Sequence, residues 1–221
     1  MINNEIIKHL SNFVTEQRLE KFNEILLNRT NYVTVVLEDI FQSHNASAVL
    51  RTCDCFGVQN VFVIENRNEF KPNNEISLGA SNWLTINSQL KNKDSKSVIT
   101  HLKKSGYRII ATMPDSKAIS INELNLEKGK IAFIFGTEKL GLSKEAISLA
   151  DEYVKIPMYG FTESFNVSVS AAIILSNIIE RLKKSKINWQ LSDIEKDGTL
   201  LDWLKNSIKS SEEIIERYYN K

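Results

Sequence analysis

The run Ile131-Ala-Phe-Ile-Phe135 stops at Gly136 and opens into Thr137 and Glu138. A second transition of the same kind follows, where a strand ending at Ile156 opens into Pro157-Met-Tyr-Gly-Phe-Thr-Glu-Ser-Phe-Asn166. Each is an apolar strand breaking into glycine and hydrogen-bonding residues. Open α/β sheets hold their ligands at the carboxyl ends of their strands. Two such ends point to a sheet with a loop-built site along one edge.

The remaining sequence supplies that sheet. Val33–Leu37 is a β-branched run followed by a polar turn from Glu38 to His44, and Asn45 to Phe56 has helical spacing that ends at Gly57, where a left-handed cap is wanted. Asn60–Glu65 is the next strand. Strand, helix and strand within about 35 residues make a βαβ unit with parallel strands. The polar stretch 66–80 contains Pro72 and Gly79 and reads as a loop, and Trp83–Asn87 reads as a short strand. A helix over Val98–Ser105, strands at Arg108–Met113, Ile131–Phe135 and Tyr153–Ile156, and a short helix capped by Ser143 continue the alternation. The predicted fold is α/β, a mostly parallel sheet with helices on both faces, which the residues alone draw as an open doubly wound sheet.

Helical segments flank this core. Apolar residues from Ile6 to Leu26 recur at helical spacing, as one helix or as two with a break near Val14-Thr15, and another amphipathic stretch follows Asn188. The expected division is therefore an N-terminal helical extension over 1–30, an α/β domain over 31–186 and a C-terminal helical extension over 187–221. The helix from Asn166 to Leu182 is apolar on more than one face, which suits one side for the sheet and the other for a second subunit.

Composition excludes several classes. At 221 residues the chain supports one substantial core, and 42% hydrophobic with 25% charged residues is ordinary for a globular protein. The N-terminus lacks a signal-peptide run, and no apolar stretch approaches the roughly 20 residues of a membrane helix, so a cytoplasmic protein without membrane contact is expected. Cys53 and Cys55 point about 200° apart on a helix, which argues against a disulfide, and no partners for a metal are in view. With 28 basic and 27 acidic residues the net charge is +1, so any binding to a polyanion must rest on local patches.

The residues able to do chemistry lie at the loops. Ala46, Val49, Leu50 and Cys53 form the core face of their helix, leaving Arg51 off that face and Asn45 at its start. Both can reach a helix N-terminus that favours an anion such as phosphate, or Asn45 can be a cap and Arg51 a surface charge. Glu138 follows a buried strand end, where a carboxylate suits binding of a hydroxyl, an amine or an arginine. Ser164 and Asn166 precede a helix, where both are common caps. The chain has no P-loop, no G-x-G-x-x-G and no G-x-S-x-G elbow, which weakens nucleotide-driven and serine-hydrolase readings.

Taken together, Asn45-x5-Arg51, the strand with Gly136-x-Glu138-x-x-Gly141 and Ser143, and Ile156-Pro-Met-x-Gly160-x4-Ser164-Phe-Asn-Val-Ser-Val-Ser-Ala-Ala172 resemble, in order and spacing, the three motifs of the SpoU (TrmH-type) RNA 2′-O-ribose methyltransferases of the SPOUT superfamily. The similarity runs from about Val33 to Leu182. Length and flanking helices look most like the bacterial members that methylate a D-loop guanosine of tRNA. The resemblance implies a C-terminal deep trefoil knot, against the general rule that chains are unknotted. It further implies a homodimer, S-adenosylmethionine as cofactor and tRNA as partner.

Carried over by position, the cofactor contacts are Thr112, Gly136, Ile156, Met158 and Phe165, and the catalytic set is Asn45, Arg51, Glu138, Ser164 and Asn166. The implied RNA contacts are His44, Arg18, Arg29, Arg181, Lys183 and Lys184. Two departures stand out: Phe165 occupies a position where the family usually has leucine, and Gln42-Ser43 replaces a basic-Pro pair. Two alternatives stay open at this level, ribosomal RNA as substrate and a non-catalytic RNA-binding dimer. The sequence leaves the proton acceptor unassigned.

Overall fold

The computed structural model describes residues 4–70, 74–87, 94–137 and 140–220. The chain begins with helices α1 (Asn4–Ser11) and α2 (Glu16–Leu26). Strand β1 (Val33–Glu38), helix α3 (Ser43–Cys55) and strand β2 (Asn60–Ile64) follow, then a single turn α4 (Asn74–Ser77), strand β3 (Thr85–Asn87), helix α5 (Ser95–Lys104) and strand β4 (Arg108–Thr112). The second half runs β5 (Ile119–Ser120), β6 (Ile131–Phe135), α6 (Lys144–Leu149), β7 (Glu152–Lys155) and α7 (Val167–Lys184). It closes with α8 (Asp193–Ser207) and α9 (Ser211–Tyr219).

The chain divides into two units. Asn31–Trp189 is one, and Met1–Thr30 with Gln190–Lys221 is the other. The flanking segments, read from sequence as two separate extensions, thus share a single helical unit. In it Trp203 and Leu204 of α8 are buried with Phe22 and Leu26 of α2 and Leu10 of α1. The strand-like pairing of Thr30 with Gln190 and the bond from the Leu191 N–H to the Arg29 carbonyl join its two halves. Thr15 ends the break between α1 and α2 by capping α2, its hydroxyl accepting from the Arg18 N–H.

The larger unit is a seven-stranded sheet in the order β3-β2-β1-β6-β4-β7-β5 with every pair parallel. Side chains alternate between its faces with the period of two that a strand imposes. Val33, Val35 and Leu37 of β1, with Ile131, Phe133 and Phe135 of β6, enter one core together with Val49 and Leu50 of α3 and Ile174, Leu175 and Ile178 of α7. Val36, Ala132 and Ile134 face the opposite core with Val98, Ile99 and Leu102 of α5 and Ala146 of α6. Covered on both faces, β1 and β6 have no exposed position.

This arrangement fixes where a ligand can enter. β1 and β6 are neighbours, yet β1 leads into α3 on one face and β6 into α6 on the other, which opens a crevice beyond their carboxyl ends. Among the described residues, no helix is long and apolar enough to cross a membrane. Three details differ from the sequence expectation. Helix α3 starts at Ser43 with Gln42 in the cap position, so Asn45 lies inside its first turn. The stretch read as a loop over 66–80 contains α4, too short to give a periodic signal. Strand β5 has only two residues and leaves no signal for the same reason.

Two cations expected at RNA turn out to be structural. Arg29 is buried, its guanidinium 5.2 Å from the Trp203 ring centroid, so it packs the helical unit and presents no surface to a phosphate. The Arg181 guanidinium donates to the carbonyls of Ile121 and Leu124, which lie in the link between β5 and β6. That link is thereby fastened to α7. Lys184 instead forms an exposed pair with Glu180 one turn away. Arg181→Ala is expected to cost about 2–4 kcal/mol by leaving two carbonyls without their donor. Lys184→Ala should leave the urea midpoint unchanged. Equal, small effects of the two substitutions in urea unfolding would refute this assignment.

Candidate active site

Four strand ends build the site. Glu38 ends β1, Gly136 follows β6, Met113 follows β4 and Ile156 follows β7, and all strands run the same way. Their loops therefore collect on one edge.

Glu38 organises this edge. It is buried, and its carboxylate accepts from the Ser143 N–H at 2.8 Å, the Ser143 hydroxyl at 2.7 Å and the Ser95 hydroxyl at 2.5 Å. Ser143 also caps α6, its hydroxyl accepting from the Ala146 N–H, while Ser95 opens α5 and receives the Asn66 side-chain amide. One carboxylate thus ties the end of β1 to the starts of two helices and the exit of β2. A buried carboxylate without such donors would cost several kcal/mol. Sequence reasoning takes Glu38 for a turn residue and misses this role. Its position at the end of a buried strand is the available signal.

Next to it, Asp39 adopts a left-handed backbone at φ 54°. Its side chain accepts from the N–H groups of Asn66, Arg67 and Asn68, and this sets the loop after β2.

The loop after β6 is closed at its base. Thr137 and Gly141 exchange two backbone hydrogen bonds, of 3.1 and 2.9 Å, and Gly141 turns the chain at φ 65°. Gly136 lies so close beneath this closure that a Cβ there would fall 2.3 Å from the Gly141 carbonyl oxygen. Only glycine fits that position. Glu138, between these residues, lies outside the described residues.

The first and third motifs meet directly. Asn45, buried in the first turn of α3, accepts from the Asn166 side-chain amide at 3.1 Å and donates to Gln42 at 2.8 Å. Asn166 caps α7, its carbonyl oxygen accepting from the Ser168 N–H at 2.8 Å and the Ser168 hydroxyl at 2.6 Å. Both amides are thus used at both ends, and the starts of α3 and α7 are held together across 121 residues of sequence. Arg51 is exposed on α3, as is His44 at its start.

Two adjoining clefts open beside this junction. The larger, about 420 Å³, is lined by Thr112, Gly136, Thr137, Leu142, Ile147, Glu163, Ser164, Phe165 and Ser170 among others. The other brings in Ile156 and Met158 and shares Thr112, Glu163, Ser164 and Phe165. All five residues expected to hold a cofactor therefore line these clefts. Thr112 is itself fixed, its hydroxyl donating to the Ile134 carbonyl at 2.8 Å. Ser164 faces the same space, whereas Arg18 belongs to the separate helical unit and is exposed there. Lys183 and Lys184 are exposed near the end of α7, and the Lys183 ammonium lies 5.7 Å from the Trp189 ring centroid. Glu163, Met113 and Ser170 also line the space, although sequence reasoning does not single them out. Among the described residues no cluster of three or more His, Cys, Asp or Glu groups could hold a metal ion.

A cleft with this lining can hold a ligand with a flat apolar part and a polar tail. Ile156, Met158, Phe165 and Leu142 offer apolar walls, and the serines, Thr112 and Glu163 offer polar contacts.

Comparison with known proteins agrees with this geometry. Residues 32–176 match the SpoU rRNA Methylase family. A tRNA (guanosine(18)-2′-O)-methyltransferase of Borreliella burgdorferi is 43% identical over 211 residues, covering 96% of this chain and 94% of that protein. The enzyme of the same name from Thermus thermophilus is 36% identical over 86% of this chain and 97% of its own length. Among solved structures, the A. aeolicus TrmH/SpoU tRNA modifying enzyme superposes with a TM-score of 0.77 at 29% identity, over 88% of this chain and 98% of that one. The AviRb methyltransferase of Streptomyces viridochromogenes, solved in complex with the cofactor AdoMet, shares the fold at a TM-score of 0.61 and 18% identity, over 71% of this chain and 63% of that one. By its matched span, its near full-length relatives and the parallel sheet whose strand ends carry the three motifs, the chain belongs to the SpoU methylase family.

Proposed function

We propose that this protein is a tRNA 2′-O-ribose methyltransferase that takes its methyl group from S-adenosylmethionine and modifies the D-loop guanosine at position 18, working as a homodimer in the cytoplasm. The observation that carries this reading is the pair of adjoining clefts lined by Thr112, Gly136, Ile156, Met158 and Phe165 beside the Asn45–Asn166 contact. The two relatives named for guanosine 18 align along nearly their whole length, which favours tRNA over the ribosomal RNA of the family's name.

The residues present fit such a donor. The cleft volume falls in the range of small-molecule sites, roughly 300–1,000 Å³. Glycine at 136 keeps the loop base thin, so the backbone at Gly136 can stand against a ligand without an intervening side chain. Ile156, Met158 and Phe165 would enclose the adenine, and Ser164 and Ser170 would meet the polar tail. When bound, S-adenosylmethionine supplies an electrophilic methyl carbon on a sulfonium that becomes a neutral thioether when the methyl leaves.

The chain's own task is to prepare the ribose hydroxyl. That hydroxyl is a weak nucleophile, so the site must lower the cost of the alkoxide that develops on it. A guanidinium offers donors and no acceptor, so Arg51 is unsuited to taking the proton. Its guanidinium instead pairs with a phosphate next to the target and offsets the developing negative charge, while the proton passes to solvent. Asn45 and Asn166 keep α3, and with it Arg51, in fixed relation to the donor cleft. Glu138 and Ser164 orient the ribose. His44, Arg18, Lys183 and Lys184 supply further phosphate contacts.

Threading of the chain into a trefoil knot is part of the same reading. Its support is that α7, which follows β7 on the far side of β4, packs on α3, which follows β1. A second subunit would cover what this chain leaves open near the site: Val169 of α7, Phe165, and the aromatic residues Tyr159 and Phe161. A crystal structure with cofactor bound tests both points, and an unthreaded path or a monomer at assay concentration would overturn them.

The activity is tested with labelled S-adenosylmethionine and unmodified tRNA transcripts. Label should appear at the ribose of guanosine 18 and vanish when that nucleotide is 2′-deoxy. Label on a base, or on ribosomal RNA alone, contradicts the proposal. In the same assay Arg51→Ala should lower kcat by about 10²–10⁴-fold, the range for removing one electrostatic contact to a developing oxyanion or slightly beyond it. Its cofactor affinity should stay within about twofold, and wild-type turnover would remove Arg51 from the mechanism. Gly136→Ala should instead weaken cofactor binding by forcing apart the closure between Thr137 and Gly141, and unchanged affinity by calorimetry would show the closure to be dispensable.

A further inference from the structure

Glu163 stands out among the residues of the clefts. It borders both adjoining clefts and the neighbouring one around Pro157 and Gly160, and in the cleft of about 420 Å³ it is the one charged side chain among the described lining residues. The only cation among the described residues of the adjoining cleft, Lys155, has its ammonium directed to the Asp115 carbonyl at 3.3 Å. Among the described residues, the donor space therefore carries a single negative charge at its exposed rim.

We propose that Glu163 is a specificity-determining residue whose carboxylate pairs with the α-ammonium of the donor's methionine portion. This rests on the reading of the clefts as the S-adenosylmethionine site. That ligand has two positive centres, the sulfonium and the α-ammonium, and they make different demands. A carboxylate set against the sulfonium would stabilise a charge that disappears in the transition state, holding the ground state down and slowing transfer. A carboxylate set against the ammonium meets a charge that does not change during the reaction. It raises affinity without raising the barrier, and it can form a charge-assisted hydrogen bond that a sulfonium cannot offer. Placement at the rim of the cleft, where the polar tail of the donor would emerge, suits the second role.

Three ligands separate the possibilities in calorimetry with the full-length protein: S-adenosylmethionine, S-adenosylhomocysteine and methylthioadenosine. The first two carry the α-ammonium, only the first carries the sulfonium, and the third carries neither. Glu163→Gln should weaken the first two equally, by about tenfold, the effect of losing one charge-assisted hydrogen bond. Methylthioadenosine should bind the variant as it binds the wild type. The KM for S-adenosylmethionine should rise while kcat at saturation stays within about twofold. Loss confined to S-adenosylmethionine would assign Glu163 to the sulfonium and overturn the proposal. Equal weakening of all three would reduce Glu163 to a structural role, and no change would leave it without one; either result overturns the proposal as well. If the wild type binds none of them, the cofactor reading itself fails, a result distinct from any of these.

Discussion

The buried carboxylate of Glu38 is the constraint from which the site edge follows. It ends a strand that is covered on both faces, so its oxygens have no access to bulk water and must find donors within the protein. Ser143 and Ser95 answer, and each lies at the start of a helix on the far face of the sheet. Hydrogen bonds to a charged acceptor are worth about 1.5–3 kcal/mol each, enough together to offset the desolvation of one carboxylate. Their larger effect is geometric. Ser143 is the residue that ends the loop carrying Gly136, Thr137 and Gly141, so fixing Ser143 to β1 fixes one wall of the cleft to the strand that leads into α3.

A second connection completes the arrangement on the other face. Asn45 and Asn166 sit at the starts of α3 and α7, and their mutual hydrogen bond aligns two helices that already pack together. The cleft lies between a loop held by Glu38 and a helix start held by Asn45. Neither tie is part of the sheet's own hydrogen bonding, and both act at its carboxyl edge. The sheet can therefore be shared widely among proteins while the edge decides what is bound.

Much of this architecture is legible in the sequence because strand and helix periods are local. Ile131–Phe135 and Val33–Leu37 declare themselves by apolar and β-branched runs, and Ser143 and Asn166 declare helix starts by their side chains. Gly136 and Gly141 can be read as a turn, though not as a contact too close for any Cβ. What stays hidden is pairing over long separations. Nothing local in Glu38 names Ser143 as its partner 105 residues away, and nothing in Asn45 names Asn166. Cations give the same difficulty from the other side, since Arg29 and Arg181 look like their exposed neighbours until the Trp203 ring and the Ile121 and Leu124 carbonyls are seen to hold them.

That engagement of two arginines within the fold bears on how a chain of net charge +1 can act on a polyanion. Binding to a nucleic-acid backbone draws on the release of counterions from the phosphates that are neutralised, and each contact adds to the salt dependence. With overall attraction absent, selectivity must come from a few cations placed to match one folded RNA. Arg51 and His44 lie on α3, whose start is tied to that of α7 through Asn45 and Asn166, so under the proposed reading a phosphate bound there would stand in register with the cleft. The same few contacts would then serve affinity and orientation together. Orientation is where an enzyme of this kind gains most, because bringing a weak nucleophile into line with its electrophile removes entropy from the barrier before the chemistry begins.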